Sequence, residues 1–289
     1  MSQSVRKRVE QQINSYETVE VTRAVQAPVA DVWEALTLPD VVEKWFGRLT
    51  SPLVAGQPTR LEFGDGDFFE IAVTRLYPPT SVGYSWRFLG IGPRDNISWS
   101  IAPKGSGCLV TVRDTEAWRT KEDAALLRKG WLDFTNRLEK FLRKGKPTRY
   151  PWRHEFDGSI ELASVVGVAW RLLFERGGPA KWLPLGESGF QQGADFTIDD
   201  GLEPSRFKIT RLEFNPPTGL EFDIKADEWL YPTPGKFNLS PRNLSTLFSV
   251  SHNGWEAISL DKDYQKEQRK RFCAFWIKTL QGAQSSFGL

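Results

Sequence analysis

Cysteine, histidine and methionine are nearly absent from this 289-residue chain, which holds two cysteines, two histidines and one methionine. Two cysteines cannot form a disulfide framework, and Cys108 and Cys273 fall in a predicted strand and a predicted helix, where a thiol behaves as a small buried hydrophobe. His154 and His252 belong to no His/Cys cluster with metal-ligand spacing, so no metal is expected. The G-x-G-x-x-G and G-x-x-x-x-G-K-[ST] phosphate loops and the G-x-S-x-G elbow are missing, so no cofactor is expected either. No apolar run approaches the roughly 18 residues of a membrane span, and the first 15 residues are polar, without the apolar centre of a signal peptide. These absences predict a cytoplasmic chain with no membrane insertion. Charge is balanced at +2 and no long basic block appears, runs such as Arg6-Lys7-Arg8 and Arg143-Lys144 being short, which argues against a nucleic-acid partner.

Large aromatic residues are abundant: 12 Trp and 19 Phe. The length suits two domains, each able to bury its own core. An internal repeat at an offset of about 137 residues supports that division. Val32-Trp33 and Lys44-Trp45 return as Ala169-Trp170 and Lys181-Trp182. The stretch 57–66 returns as 192–201, and Thr74-Arg75-Leu76 with Pro78-Pro79-Thr80 returns as Thr210-Arg211-Leu212 with Pro216-Pro217-Thr218. Trp118 returns as Trp255. No single match is specific; the shared order and spacing carry the argument. The boundaries read as an extension over 1–16, a first copy over 17–144, a Pro-containing polar linker over 145–154, a second copy over 155–282 and a tail over 283–289.

In the first copy a strand over 17–26 precedes two short helices opened by Pro28 and Pro39, since proline suits a first helical turn. Strands follow over 60–63, 68–77, 82–89, 97–102 and 108–116. Tyr84, Trp86 and Phe88 alternate with smaller or polar residues, as do Ile97, Trp99 and Ile101, giving a sheet with one apolar face. A helix over 121–142 carries Leu127, Trp131, Phe134, Leu138 and Phe141 on one stripe, and the apolar sheet face is its available partner. The second copy repeats this order and ends in a helix over 260–281. The predicted fold is α+β: two helix-grip domains, each a curved antiparallel sheet wrapped around a long C-terminal helix, with two short helices plugging one end.

Ala27-Pro28-Val29, Val32-Trp33, Lys44-Trp45-Phe46-Gly47, the Gly66 turn, 74–76 and Trp118 carry a family resemblance. Each copy resembles the START-like, Bet v-type helix-grip (SRPBCC) superfamily, in particular the branch homologous to the activator of the heat-shock chaperone ATPase. The second copy departs from the pattern: Ser164-Val165 replaces Ala27-Pro28, and Leu183 follows Trp182 where the first copy has Phe-Gly. The resemblance implies a fold that holds lipids, sterols or polyketides. It also implies relatives that act as polyketide aromatases and cyclases, some with two domains, or that protect bacteria against enediyne antibiotics. A tandem member points by analogy to natural-product biosynthesis or self-protection.

Strand parity selects candidate ligand contacts in each copy: Arg75, Tyr84, Trp86, Phe88, Trp99, Asp114, Trp131 and Phe134 in the first; Phe207, Arg211, Phe222, Phe237, His252, Phe272 and Trp276 in the second. Arg75 and Arg211, if inward, orient a carbonyl or carboxylate; the competing reading places them at a strand end in solvent. His252 reads more readily as a satisfied structural histidine than as a general base. The aromatic rings either line a cavity or simply fill the interior. Three functions therefore stand: binding of an elongated apolar, polyketide-like molecule; cyclisation of a polyketide chain; or a chaperone-regulating interaction module. No catalytic residue is assigned, and no protein partner is identified.

Overall fold

A computed structural model describes residues 18–116, 121–175, 177–183, 190–198, 205–242 and 244–287. Trp118, Gly201 and the extension 1–16 lie outside them. The chain divides into two compact units. Unit 1 comprises Met1–Gly64, Phe68–Gly90 and Arg94–Pro151; unit 2 comprises Asp65–Asp67, Ile91–Pro93 and Trp152–Leu289.

Unit 1 opens with β1 (Val19–Val25), α1 (Val29–Thr37) and α2 (Pro39–Val42). Pro28 sits at the N-cap of α1 and Pro39 at the first position of α2, where a missing N–H costs nothing. Six strands follow: β2 (Arg48–Leu49), β3 (Pro58–Glu62), β4 (Phe68–Tyr77), β5 (Ser81–Phe88), β6 (Arg94–Lys104) and β7 (Gly107–Thr115). Then comes α3 (Lys121–Lys144), whose first turn holds Glu122 and Asp123 and whose last holds Arg143 and Lys144, in favourable order for the helix dipole. The antiparallel sheet runs β1-β7-β6-β5-β4-β3-β2. On α3, Trp131, Leu138 and Phe141 are buried, and Leu127 and Phe134 partly so, against a core that includes Val110, Val112, Ile97 and Trp99. The stripe read from the sequence is therefore the helix face that packs. The two-residue β2 is too short to show alternation and escapes sequence reading.

Unit 2 repeats the order with β8 (Phe156–Leu162), α4 (Val166–Phe174), a single 3-10 turn over Pro179–Lys181, β9 (Asp195–Thr197), β10 (Arg206–Asn215), β11 (Gly219–Ala226), β12 (Thr233–Arg242), β13 (Ser245–His252), a 3-10 turn over Trp255–Ala257, and α5 (Lys262–Ser286). Its sheet order is β8-β13-β12-β11-β10-β9. Asp261 caps α5, accepting from the N–H groups of Asp263 (2.9 Å) and Tyr264 (3.3 Å). The helix runs past position 281, because fully buried Ala283 extends its packed face by another turn.

The repeat extends to structural detail. A bulge interrupts β4 between Val73 and Arg75, and another interrupts β10 between Ile209 and Arg211. The indole of Trp45 donates to the Ala35 carbonyl at 2.7 Å, and that of Trp182 to the Leu173 carbonyl at 3.0 Å. The predicted helix-grip α+β class is the observed one.

Candidate functional site

The apolar sheet face of unit 1 meets α3 in a continuous set of rings. Phe69 stacks on Trp86 (centroids 3.9 Å apart, planes at 12°), and Trp86 stacks on Trp131 (5.3 Å, 13°). Phe88 leans on Phe69 at 5.0 Å, Phe63 meets Phe69 edge-on at 6.0 Å, and Phe134 packs against Phe46 at 4.7 Å. Trp86 and Trp131 are buried, whereas Phe63, Phe69, Phe88 and Phe134 remain part-exposed. The column therefore runs from the closed interior to an open aromatic rim. Parity explains the grouping: Phe69 and Phe88 are cross-strand partners, as are Ile71 and Trp86, so their side chains share a face.

The polar groups inside this unit are few and mostly committed. Trp99 donates to the Tyr84 hydroxyl at 2.9 Å, and Trp131 donates to the fully buried Asp114 carboxylate at 2.7 Å. Burial pushes the Tyr84 phenol well above its ordinary range; the Asp114 charge adds to that, and the Trp99 hydrogen bond opposes it. The Nε1–H of Trp86 has no hydrogen-bond partner, although Trp86 is only 4% exposed.

Unit 2 places His252 where unit 1 has Asp114, and both do the same work. Trp276 on α5 donates to His252 Nδ1 at 3.0 Å, as Trp131 on α3 donates to Asp114. Because Nδ1 accepts, the ring proton sits on Nε2, which donates to Thr233 Oγ1 at 2.8 Å; Thr233 in turn donates to the Ile224 carbonyl at 3.2 Å. Burial, helped by the charge of Arg269, lowers the His252 pKa to about 3. The imidazole is a neutral, fully satisfied anchor for a helix tryptophan. Phe207, Phe222, Phe237, Phe272 and Trp276 are all buried around it in mutual ring contact.

Both arginine candidates face the other way, which corrects the inward reading. The bulges insert an extra residue before Arg75 and Arg211 and reverse their parity relative to Val73 and Ile209. Arg75 is exposed. Arg211 is held by Asp223 (3.0 Å) and Glu213 (3.1 Å), which raise its pKa.

Sequence reasoning missed Phe63 and Phe69, although both alternate in step with Leu61 and Ile71 on their strands. It also missed a buried ion pair of unit 2, in which Arg269 donates to both Asp67 oxygens (2.7 and 2.9 Å) and to the carbonyls of Asp65 (2.9 Å) and Glu155 (2.7 Å). A separate groove of about 450 Å³ in unit 1 is lined by Thr50, Thr59, Arg60, Glu70 and Arg94 and by no aromatic residue. Among the described residues, no group of three or more His, Cys, Asp or Glu side chains could hold a metal ion, and no helix is long and apolar enough to cross a membrane.

A search of curated proteins finds no match. The family described as "Activator of Hsp90 ATPase homolog 1-like protein" matches residues 26–143. Among solved structures, DynU16, described as a protein of the dynemicin biosynthetic locus, is 35% identical, covers 93% of this chain and 98% of its own, and superposes with a TM-score of 0.84. CalU16 from Micromonospora echinospora (22% identity, 45% of this chain, 78% of that one, TM-score 0.39) and the Aha1 dimer from Colwellia psychrerythraea (21%, 45%, 98%, 0.40) also align. Near-complete mutual coverage at that identity settles the matter: the chain belongs to the DynU16 family of START-like helix-grip (SRPBCC) proteins.

Proposed function

We propose that unit 1 binds an elongated, largely apolar small molecule of polyketide or polyene type against its aromatic face, in natural-product biosynthesis or self-protection. The carrying observation is the ring set itself: a Phe69-Trp86-Trp131 column that opens through Phe63, Phe88 and Phe134 to a part-exposed rim. Each such ring offers on the order of 150–250 Å² of apolar surface. Covering it returns about 25 cal/mol per Å², less the ordering cost of binding. The biosynthetic setting is supported by DynU16, whose description places it in the dynemicin locus.

Binding is favoured over cyclisation by the state of the interior polar groups. His252, the residue weighed as a general base, and Asp114 at the matching position of unit 1 each already hold a tryptophan N–H. Unit 2 has its rings buried against one another, which supports a scaffold role for it and favours unit 1 as the binding unit.

The test is a titration of the whole chain with polyketide, fatty-acid and sterol panels, followed by intrinsic tryptophan fluorescence and repeated with Phe63→Ala and Phe134→Ala. Saturable binding by a panel member, weakened about tenfold or more in folded rim variants, supports the reading. Absence of binding across the panel refutes it.

A further inference from the structure

Among the described residues of unit 1 four tryptophans are buried, and three of them spend their indole N–H within the protein: Trp45 on the Ala35 carbonyl at 2.7 Å, Trp99 on the Tyr84 hydroxyl at 2.9 Å and Trp131 on Asp114 at 2.7 Å. Trp86 is the exception among the described residues. A buried donor without an acceptor is costly, and native interiors rarely leave one. Asp95 lies opposite Trp86 in the strand register, yet its carboxylate does not take this proton. The surrounding rings of Phe69, Tyr84 and Trp131 offer a water molecule few of the two to four polar partners it requires. The stacking of Phe69 and Trp131 on Trp86 also leaves the indole edge, not its faces, for an incoming group.

We infer that the ligand of unit 1 carries a hydrogen-bond acceptor, a carbonyl or ether oxygen on an otherwise apolar frame, and that this oxygen takes the Nε1–H of Trp86. The inference rests on the binding reading above and narrows it. An apolar frame is covered by the rim rings, while the oxygen meets the one buried side-chain donor left unused among the described residues of unit 1. A pure hydrocarbon gains only the first of these. A molecule with a correctly placed oxygen gains both and relieves the buried donor.

The test compares 9-fluorenone with fluorene, two tricyclic probes of the same frame that differ in one carbonyl. Affinities are measured by equilibrium dialysis on the full chain. The indole N–H signals of ¹⁵N-labelled protein are followed in parallel, with Trp86 assigned in the wild type through its contacts with the rings of Phe69 and Trp131. The expected result is that fluorenone binds about 5–30-fold more tightly than fluorene, the worth of one well-placed hydrogen bond. Fluorenone also moves the Trp86 proton downfield and fluorene does not. In Trp86→Phe, checked for folding by near-UV circular dichroism, the preference falls to within about twofold while fluorene affinity is retained. The wild-type spectra decide the matter even if that variant misfolds. Equal affinities, an unmoved Trp86 signal, or a preference that survives in Trp86→Phe overturns the inference and leaves the binding reading standing. Failure of both probes to bind overturns both.

Discussion

Lowering the pH should destabilise unit 2 through a single histidine. His252 is fully buried and neutral in the fold, with a pKa lowered to about 3, whereas in the unfolded chain it returns to about 6.5. The unfolded state therefore binds a proton that the folded state refuses, and stability falls as pH falls from 6.5 towards 3. Each pH unit in that window costs about 1.4 kcal/mol. At pH 5.0 the loss relative to neutral pH is about 2 kcal/mol, and it stays near that value for any folded-state pKa below about 4. The assay is urea unfolding at a series of pH values for the wild type and His252→Gln, read by hydrogen exchange at amides of β12 and β13. The variant loses the Trp276-His252-Thr233 chain and should be less stable at pH 7 by about 1–3 kcal/mol. Its stability should then fall less steeply with acid, closing a gap of about 2 kcal/mol by pH 5.0. Carboxylates titrate in both proteins and cancel in the difference. Parallel pH curves, or an imidazole resonance of His252 with a midpoint above about 5, refute the reasoning.

Three further outcomes are expected. Gly235→Ala should cost about 1–3 kcal/mol by chemical unfolding, because a Cβ there would lie 2.2 Å from the buried ring of its cross-strand partner Phe222. In unit 2, Asp67→Leu or Arg269→Met alone should each cost about 3–5 kcal/mol, since either leaves a fully buried partner uncompensated; the double variant Asp67→Leu plus Arg269→Met should recover a large part of that loss, and strict additivity in this double-mutant cycle would contradict the pairing. Arg75→Ala should leave both stability and ligand affinity within about 0.5 kcal/mol, because the bulge turns that side chain outward; a loss of binding would restore the inward reading.

The parts of this protein legible in its sequence are those that repeat or alternate. The stripe through Trp131 and Leu138, the alternation through Tyr84 and Trp86, and the return of Trp45 as Trp182 each reflect a period imposed by a helix, a strand or a duplicated fold. The exchange of Asp114 for His252 was visible as a position. Its meaning, an acceptor for a helix indole in both units, needed coordinates, because Trp131 and Trp276 are distant in sequence from their partners. Parity failed at Arg75 and Arg211 because one extra residue in a strand reverses every side chain beyond it, and a bulge at a threonine has no sequence mark. The unused N–H of Trp86 was equally hidden: whether a buried donor finds an acceptor is a matter of ångströms, not of residue type.

Mapping the bound ligand by NMR locates the binding face. Backbone amide shifts of the full chain are recorded with the tightest-binding panel member at saturation. The prediction is that the perturbed residues cluster on β3, β4, β5 and α3 of unit 1, around Phe63, Phe69, Trp86 and Phe134. Perturbations confined instead to unit 2, or to the groove of Thr50, Arg60 and Arg94, would contradict the assignment of binding to the aromatic face.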